Sequence, residues 1–508
     1  MPSINARIAK NTLMLYIRQI LIILVSLYTV RVLLNTLGAE DYGIYNIVAG
    51  VVVMFSFLNG AMAGATQRFL NFAMGQNDAE QTRNVYSISF VIHILIAVIV
   101  IILAETVGLW FFDTWLNIPP ERQQVAFIAY QFSVATTVIH ILQVPYRATI
   151  IAHEKMSFFA LISVAEALFK LVVVFLLSII LFDKLIVYAF LVFSVGLVIF
   201  IIHKVYCNRM FETARFRYCR DKKLFQQIAE FSGWSVFGNI ANVSSSQGTN
   251  VVINVFYGVT VNAAMGVAAQ VNSAVYTFVT NFQTAFRPQI VKLYAAEKHD
   301  AFMRLIFQSS KISYYLILFF ALPLYVNADF VLQIWLENVP EYSVIFTRLI
   351  LLNSLEIAIA GPLIISIQAT GNIKKYQLIN SCFIFANLPL SFLLLYFGFS
   401  PIWVLVIKIT LNFLALVWRI FFLNKTIHLP ATDFLREVII SAIIITGISG
   451  FITIFVHNVL IGDWSRLILT CMVSSISIVC LVYCIGLNAR EKVLLKNRIE
   501  RKLYRKGE

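Results

Sequence analysis

Charged residues are scarce in this sequence of 508 residues. Asp, Glu, Lys and Arg together make up 13% of the chain, whereas 60% of its residues are hydrophobic. A soluble protein of this length cannot bury so much apolar surface in its core, so the composition excludes a soluble protein and predicts an integral membrane protein. The apolar runs lack the two-residue alternation of a membrane β-strand, so the fold class is predicted to be all-α.

Sequence motifs for cofactor chemistry are also absent. The chain has no Walker loop, no dinucleotide-binding fingerprint and no GxSxG elbow. Its six cysteines, at positions 207, 219, 382, 471, 480 and 484, form no CxxC pair and have no His at zinc-ligand spacing. We therefore expect no catalytic residue, no metal ion, no cofactor and no enzymatic activity.

Long apolar runs, by contrast, occur along the whole chain. A helix needs about 20 mostly apolar residues to cross a hydrocarbon core about 30 Å thick. Fourteen such segments lie near residues 11–35, 42–71, 84–111, 121–147, 156–181, 185–206, 228–256, 260–287, 302–326, 342–367, 375–397, 401–423, 435–460 and 465–488. The sequence therefore predicts a polytopic membrane protein with about fourteen transmembrane helices.

The first predicted hairpin, at residues 11–71, returns in a relaxed copy about 220 residues later. Gly38 aligns with Gly258, and Arg68 falls within one residue of Arg287. A repeat with this long period is typical of a two-lobed transporter. Because six spans precede the second copy, both halves enter the membrane from the same side, and the lobes are expected to be parallel repeats with a substrate path between them.

The loops divide the repeat into domains. Two parallel six-helix bundles are predicted at residues 1–206 and 225–423, joined by a basic cytoplasmic linker at 207–224. Two additional C-terminal helices are predicted at 424–488, followed by a basic tail at 489–508.

Lys and Arg residues collect in alternate loops. If the N-terminus is cytoplasmic, the basic loops all lie inside, so the positive-inside rule predicts that both termini are cytoplasmic. The formal net charge of +14 is then mostly a signal of topology. The basic tail could bind nucleic acid, but juxtamembrane basic segments usually lie on the anionic inner leaflet, so we expect membrane lipids and no nucleic acid as partners.

Polar side chains recur every three or four residues on the seventh and eighth predicted helices. Asn239 and Asn242 belong to the first of these stripes, and Thr280 and Arg287 to the second. Small polar residues also allow close helix packing in lipid, which is the alternative explanation for Ser and Thr. Asn amides need several hydrogen-bond partners each, so the two stripes predict the wall of a hydrated, substrate-binding cavity.

Ionisable residues inside predicted spans are the sharpest individual signals, because an unpaired charge at a helix centre costs about 2.5–3.5 kcal/mol on insertion scales. Arg18 lies a third of the way along the first helix, beside Gln19. Its alternative is snorkelling to the headgroups. Lys170 follows Glu166 by four residues, and the two could simply neutralise each other. Further candidates are Glu356 in the tenth helix and Lys408 in the twelfth.

The excess of buried cations over anions predicts an anionic cargo. Arg binds phosphate oxygens two at a time, and Lys supplies a point charge. A pyrophosphate would therefore suit Arg18 together with Lys170 or Lys408.

The hairpin that contains NTLMLYIRQ, VRVLLNTLGAEDYGIYNIV and ATQRF, with the returning FSGWSVFGNIAN, resembles the bacterial polysaccharide flippases of the multidrug/oligosaccharidyl-lipid/polysaccharide exporter superfamily. The chain is similar above all to flippases of O-antigen or capsule repeat units, and the resemblance covers its whole length. Peptidoglycan-precursor flippases tend to carry a further basic residue within the second helix, where this chain has only the terminal Arg68. The resemblance therefore favours a different glycan.

This resemblance implies a V-shaped pair of six-helix bundles that alternates between inward-open and outward-open states. Its implied cargo is a polyprenyl-pyrophosphate-linked oligosaccharide, an O-antigen, capsule or exopolysaccharide repeat unit, moved from the inner to the outer leaflet of the bacterial inner membrane. Glycan polymerase and other polysaccharide assembly proteins are the implied partners. In that picture Arg18 matches the cationic position of the first helix, and Asp41 matches the acidic position at the first outer bend.

Three other functions remain open. A cation-coupled multidrug antiporter of the same superfamily shares the architecture, but the scarcity of unpaired carboxylates argues against it. A polysaccharide polymerase or ligase usually has a large outer loop with catalytic residues, and the outer loops here are short. A scaffolding protein would have no reason to bury so many cations.

Overall fold

The computed structural model describes residues 4–53, 56–115, 118–336, 338–488 and 491–492, and these residues form helices and short connections without any β-strand. Most of the predicted basic tail, 489–508, therefore lies outside the described residues.

Sixteen α-helices follow one another in the described chain. They are α1 Ile4–Val53, α2 Ser56–Gly75, α3 Ala79–Leu103, α4 Leu109–Trp115, α5 Gln123–Ala152, α6 Met156–Leu177, α7 Lys184–Met210, α8 Lys222–Ala295, α9 His299–Val326, α10 Ala328–Trp335, α11 Ser343–Thr370, α12 Lys374–Tyr396, α13 Ile402–Ile427, α14 Ala431–Phe434, α15 Ser441–Val459 and α16 Asp463–Leu481. Single π-helical turns join α3 to α4 and α14 to α15.

Two glycines break the longest helices into separate limbs. Gly38 in α1 has φ 81°, and Gly258 in α8 has φ 77°. An L-residue with a side chain adopts such angles only with strain, whereas glycine adopts them freely. A Cβ atom at either position would meet no other atom within 4 Å, so the backbone angle alone explains the requirement for glycine. The aligned pair predicted from the repeat thus has the same structural role in both halves.

The predicted fold class is confirmed. Eleven segments of the described chain are long and apolar enough to cross a membrane. The other three predicted spans, near 42–71, 228–256 and 260–287, fall on the second limb of α1 with α2 and on the two limbs of α8. The two limbs of α8 are less apolar than the eleven segments because the polar stripes lower their mean hydropathy.

The described chain divides into two compact units. The first unit comprises Met1–Ile240, Thr284–Lys298 and Gln368–Gln377, and the second comprises Ala241–Gln283, His299–Ile367 and Leu378–Glu508. The first therefore includes short segments from the second sequence half. The lobe boundaries predicted from the loops stay a prediction.

Each unit has an apolar core in which the second limb of its broken helix packs against the helices that follow. Five of the ten buried residues in each core correspond at a constant offset of 220. The corresponding buried pairs are Ile44 and Ala264, Val48 and Ala268, Ala126 and Phe346, Tyr130 and Ile350, and Leu185 and Leu405. The repeat seen in the sequence is therefore a repeat of packing as well.

Candidate functional site

A cationic cluster lies inside the first unit, around one aromatic ring. The guanidinium carbon of Arg18, on α1, lies 5.0 Å from the centroid of the Phe159 ring on α6. Arg147, on α5, lies 5.6 Å from the same ring and interacts electrostatically with Arg18. A cation on a ring face gains about 0.5–2 kcal/mol. This attraction offsets only part of the repulsion between two like charges, so the pair favours an anion close by.

The neighbouring ion pair leaves this positive charge in excess. Lys170 Nζ donates to Glu166 Oε1 at 2.7 Å, so the sequence alternative that the two neutralise each other is realised. Their side chains keep 42% and 29% of their accessible surface, and such a pair contributes at most about 1 kcal/mol to stability. Glu166 also interacts electrostatically with Arg147. Three cations and one carboxylate therefore give the cluster two net positive charges.

Arg147 is the member of this cluster that the sequence pattern did not single out, because it resembles an ordinary basic residue of an inside loop. In the structure it lies within α5, whose last residue is Ala152. The available signal was the run ATIIA directly after Arg147, which continues the apolar helix beyond the charge.

Gln19 is half-buried, and, as the residue after Arg18, points about 100° away from it around α1.

Asp41 lies in an ion-pair network at the other end of the first unit. Its carboxylate accepts two hydrogen bonds from Arg122, at 2.9 Å from Nε and 2.5 Å from Nη2. Arg122 Nη1 also donates to Asp183 Oδ2, and Asp183 caps the N-terminus of α7. The network joins three helix beginnings: the second limb of α1, α5 and α7. This carboxylate is fully engaged within the protein, and substrate binding by Asp41 stays a prediction.

Arg68 caps the end of another helix within the first unit. Its side chain is 8% exposed, and it donates from Nε to Gln368 O at 3.2 Å and from Nη2 to Ala369 O at 3.0 Å. These carbonyls belong to the last turn of α11, whose own hydrogen bonds end there and whose dipole attracts cations. The guanidinium also packs against the Phe69, Phe72 and Phe231 rings, between 4.5 and 5.6 Å from their centroids.

A second cationic cap lies at the end of α5. Lys292, near the end of α8, donates from Nζ to Ala152 O at 2.7 Å and to Glu154 Oε1 at 2.9 Å. Gln289 Nε2 donates to the same carboxylate oxygen. Arg7 lies 3.8 Å from the other oxygen of Glu154.

The two caps are related by the internal repeat. α2 and α5 of the first half correspond to the second limb of α8 and to α11, at the offset of 220 residues. Arg68 at the end of α2 therefore caps α11, while Lys292 at the end of the corresponding limb caps α5. We call these contacts the reciprocal caps.

Asn239 and Arg287 of α8 face the glycine pair of α2. A Cβ atom on Gly60 would lie 3.9 Å from Asn239 Nδ2, and one on Gly64 would lie 3.9 Å from an Arg287 terminal nitrogen. The predicted polar stripe therefore reaches α2 at two of its glycines, where backbone and polar side chains come close together.

The second unit contains the other predicted binding residues. Asn242 and Thr280 of α8 are exposed, and Lys408 of α13 is half-buried. Glu356 of α11 is also half-buried, and neither carboxylate oxygen has a hydrogen-bond partner among the described residues. It interacts electrostatically with Arg419, which donates to Asn380 Oδ1 at 2.7 Å. Of the predicted binding residues, Asn242, Thr280, Glu356 and Lys408 therefore belong to the second unit and the others to the first.

Comparison with known proteins identifies relatives of both sequence and fold. The family model described as polysaccharide biosynthesis protein matches residues 8–294, more than half of the chain. No curated protein matches the sequence significantly.

Several solved transporter structures share the fold at low sequence identity. The outward-facing conformation of a multidrug resistance MATE family transporter of the MOP superfamily superposes with a TM-score of 0.73 at 12% identity, over 84% of this chain and 96% of that chain. MATE in its straight conformation gives 0.71 at 13% identity, over 84% and 97%. A MOP superfamily transporter from Pyrococcus furiosus Vc1 (DSM3638), described by the reverse polarity of its binding pocket, gives 0.70 at 12% identity, over 82% and 95%.

Proposed function

Because this chain belongs to the polysaccharide biosynthesis protein family and has the fold of a MOP-superfamily transporter, we propose that it is a flippase for a polyprenyl-pyrophosphate-linked oligosaccharide. It moves an O-antigen, capsule or exopolysaccharide repeat unit from the inner to the outer leaflet of the bacterial inner membrane. It acts by alternating access and without enzymatic chemistry. Glycan polymerase and other polysaccharide assembly proteins are its expected partners.

The observation that carries this proposal is the cationic cluster of the first unit. Arg18 and Arg147 both lie over the Phe159 ring, and together with the Lys170–Glu166 pair they give the cluster two net positive charges. A pyrophosphate diester carries two negative charges, and guanidinium groups bind its oxygens in bidentate geometry. The cluster therefore matches the charged part of the cargo in both sign and number.

The orientation follows from the basic loops, which place both termini in the cytoplasm. In that orientation the cargo carries its two negative charges outward, the direction that the inside-negative potential favours. Each charge then gains about 2.3 kcal/mol per 100 mV when it crosses the full potential. The membrane potential can therefore drive the movement without ATP.

The reciprocal caps supply a gate for this mechanism. In the proposed orientation both lie on the cytoplasmic side. There Arg68 and Lys292 each bind a helix end within the first unit, and we expect both caps to release before a cargo enters from the inner leaflet.

Translocation in proteoliposomes tests the proposal. A fluorescent polyprenyl-pyrophosphate oligosaccharide is added to vesicles with wild type, Arg18→Ala or Arg147→Ala, and its transbilayer movement is followed by quenching. Arg209→Ala serves as the control, because Arg209 is an exposed cation at the end of α7. We expect the rate of glycolipid translocation to fall at least tenfold in each cluster variant and to stay at the wild-type value in the control. Equal rates in all four proteins would contradict the pyrophosphate assignment.

A cation-coupled multidrug antiporter is the second candidate, and Glu356 is the observation that favours it. Its carboxylate has no hydrogen-bond partner among the described residues, and it could bind a proton or another cation. Uptake of a fluorescent organic cation under an imposed proton gradient distinguishes the two. Cation transport that Glu356→Gln abolishes, without movement of the glycolipid, would replace the flippase by an antiporter.

A further inference from the structure

The linker between the sequence halves forms a cavity that the transport mechanism does not use. It has a volume of about 570 Å³ and lies against the first turns of α3. It is lined by Ala79, Glu80, Arg83, Asn84, Arg217, Tyr218, Cys219 and Arg220. Three arginines and one carboxylate give it two net positive charges, although it is separate from the cluster around Phe159.

Arg83 of α3 lines this cavity, and its side chain is partly buried there. The Nε atom of Arg83 is buried and has no hydrogen-bond partner among the described residues. A buried donor without a partner costs free energy, and a charged donor costs more than a neutral one. An anion with several acceptor oxygens in the cavity would instead bind the terminal guanidinium nitrogens of Arg83, together with Arg217 and Arg220 from the linker.

The linker is held in place on α3 rather than lying free. The backbone N–H of Arg217 donates to Ser87 Oγ at 3.1 Å. One residue earlier, the Phe216 ring packs against the Phe90 ring, with centroids 5.9 Å apart. These contacts fix the position of the arginines relative to Arg83. The cavity is therefore a built site with one wall from a helix and one from an anchored linker.

An adjoining cavity of about 370 Å³ has a different character. It shares Tyr218, Cys219 and Arg220 with the first cavity. Ile88, Val91, Phe216 and Phe225 form its apolar wall, and Ser87, Asp221, Lys222 and Gln226 also line it, with the charges of Asp221 and Lys222 opposite in sign. A cationic compartment that continues into an apolar one fits an amphiphile, with its phosphate in the first and its glycerol and upper acyl chains in the second.

The position along α3 agrees with such a ligand. The span Ala79–Thr114 has 36 residues, well beyond the about 20 that cross the hydrocarbon core, and its apolar run begins only after Asn84. The first turns of α3 therefore lie at headgroup level. Basic pockets at this level on the cytoplasmic side bind anionic headgroups.

We propose that Arg83, Arg217 and Arg220 form a binding site for the phosphate of an anionic phospholipid in the cytoplasmic leaflet. The proposal rests on the orientation given above, but not on translocation of a glycolipid. Occupancy of the site would hold the linker against α3 and join the start of the second half to the membrane surface.

Protection of Cys219 from alkylation tests this proposal, because that side chain lines both cavities. The purified full-length protein in neutral detergent is treated with a maleimide, and the labelling of each cysteine is measured by peptide mass spectrometry. Short-chain phosphatidylglycerol, the matched phosphatidylcholine and inorganic phosphate are compared as protecting agents. Cys382, which is exposed and remote in sequence, serves as the internal control.

We expect phosphatidylglycerol to slow the labelling of Cys219 at least fivefold, and phosphatidylcholine and phosphate to have little effect. Arg83→Gln and Arg220→Gln should each raise, about fivefold, the concentration of phosphatidylglycerol that halves the labelling rate of Cys219. This change corresponds to about 1 kcal/mol per basic residue. Arg220 is exposed, so that variant avoids disturbing the fold. Arg209→Gln should leave protection unchanged.

Equal protection by inorganic phosphate would overturn the lipid assignment in favour of a soluble phosphate compound. Absence of protection by any agent, or protection unaffected by both arginine variants, would overturn the site itself. Because alkylation requires no transport, either result is distinguishable from failure of the flippase proposal.

Discussion

Removal of the Arg68 cap should open the first unit at one end. Arg68→Gln keeps much of the side-chain volume but removes the charge and both hydrogen bonds to the Gln368 and Ala369 carbonyls. Hydrogen bonds to a charged group contribute about 1.5–3 kcal/mol each. Because the Lys292 cap and the aromatic contacts of Phe231 remain, we expect a net loss of about 3 kcal/mol, roughly 150-fold in the ratio of closed to open molecules.

Alkylation of a buried cysteine measures this ratio. Ser232→Cys is nearly isosteric, and Ser232 is 2% exposed and directly follows Phe231, whose ring contacts Arg68. When opening is fast relative to alkylation, the labelling rate follows the open population. The rate in the Arg68→Gln background should therefore rise about 100-fold, and Arg209→Gln should leave it unchanged. A rise below about threefold would refute the claim that Arg68 holds this end closed.

Gly371 offers a second way to disturb the same cap. Its φ is +83°, and a Cβ atom there would lie 2.5 Å from Arg68 Nη2. Gly371→Ala should therefore strain the backbone and displace the guanidinium, and it should raise the labelling rate of Ser232→Cys. Gly398→Ala is the matched control, because Gly398 has φ +80° with no atom within 4 Å of its Cβ position. Equal rates in both glycine variants would show that the cap is unaffected.

Two further predictions concern stability and pH. Lys311 is 3% exposed, and its Nζ atom lies 2.9 Å from Glu491 Oε2. Glu491→Gln should leave a buried cation and lower the free energy of unfolding by about 3–5 kcal/mol, and addition of Lys311→Met should recover most of the lost Tm. A Tm unaffected by Glu491→Gln would contradict this. Burial lowers the pKa of His153, which follows α5 and stacks on Phe211 with centroids 3.9 Å apart. The unfolded state then binds more protons, so stability should fall as pH decreases below about 6.5. His153→Gln should therefore reduce the dependence of Tm on pH between pH 5 and 7. An unchanged dependence would show that His153 does not contribute.

The helices could be predicted because each depends on local sequence. A run of apolar residues long enough to cross the membrane forms a helix whatever lies beside it. The break at Gly38 and its partner at Gly258 were likewise visible, because a positive φ requires glycine and the surrounding sequence repeats. Buried core pairs at a constant offset then follow from the same duplication.

The candidate site could be predicted only in part, because its geometry depends on residues far apart in the chain. Arg18 and Lys170 were recognised as buried cations, and the structure places both in the first unit. Arg147 was hidden among the basic residues that set topology. The ion pair between Asp41 and Arg122 could not be predicted either, because the two residues lie 81 positions apart in the sequence.

The reciprocal caps were not predicted for a further reason. Lys292 lies in an inside loop region by sequence, and its acceptor at Ala152 is a main-chain carbonyl. A carbonyl at a helix end has no sequence signature beyond the end of the helix itself, and such ends are uncertain by several residues in a sequence pattern.

Because the acceptors are main-chain oxygens, the donor and acceptor residues of the reciprocal caps differ in how well they tolerate mutation. On the donor side the side chain itself makes the bond, so a change of Arg68 or Lys292 removes a contact outright. On the acceptor side Gln368, Ala369 and Ala152 contribute only backbone oxygens. Their side chains are free to vary as long as the helix still ends in the same place. A collection of natural variants would thus reveal one half of each contact and conceal the other.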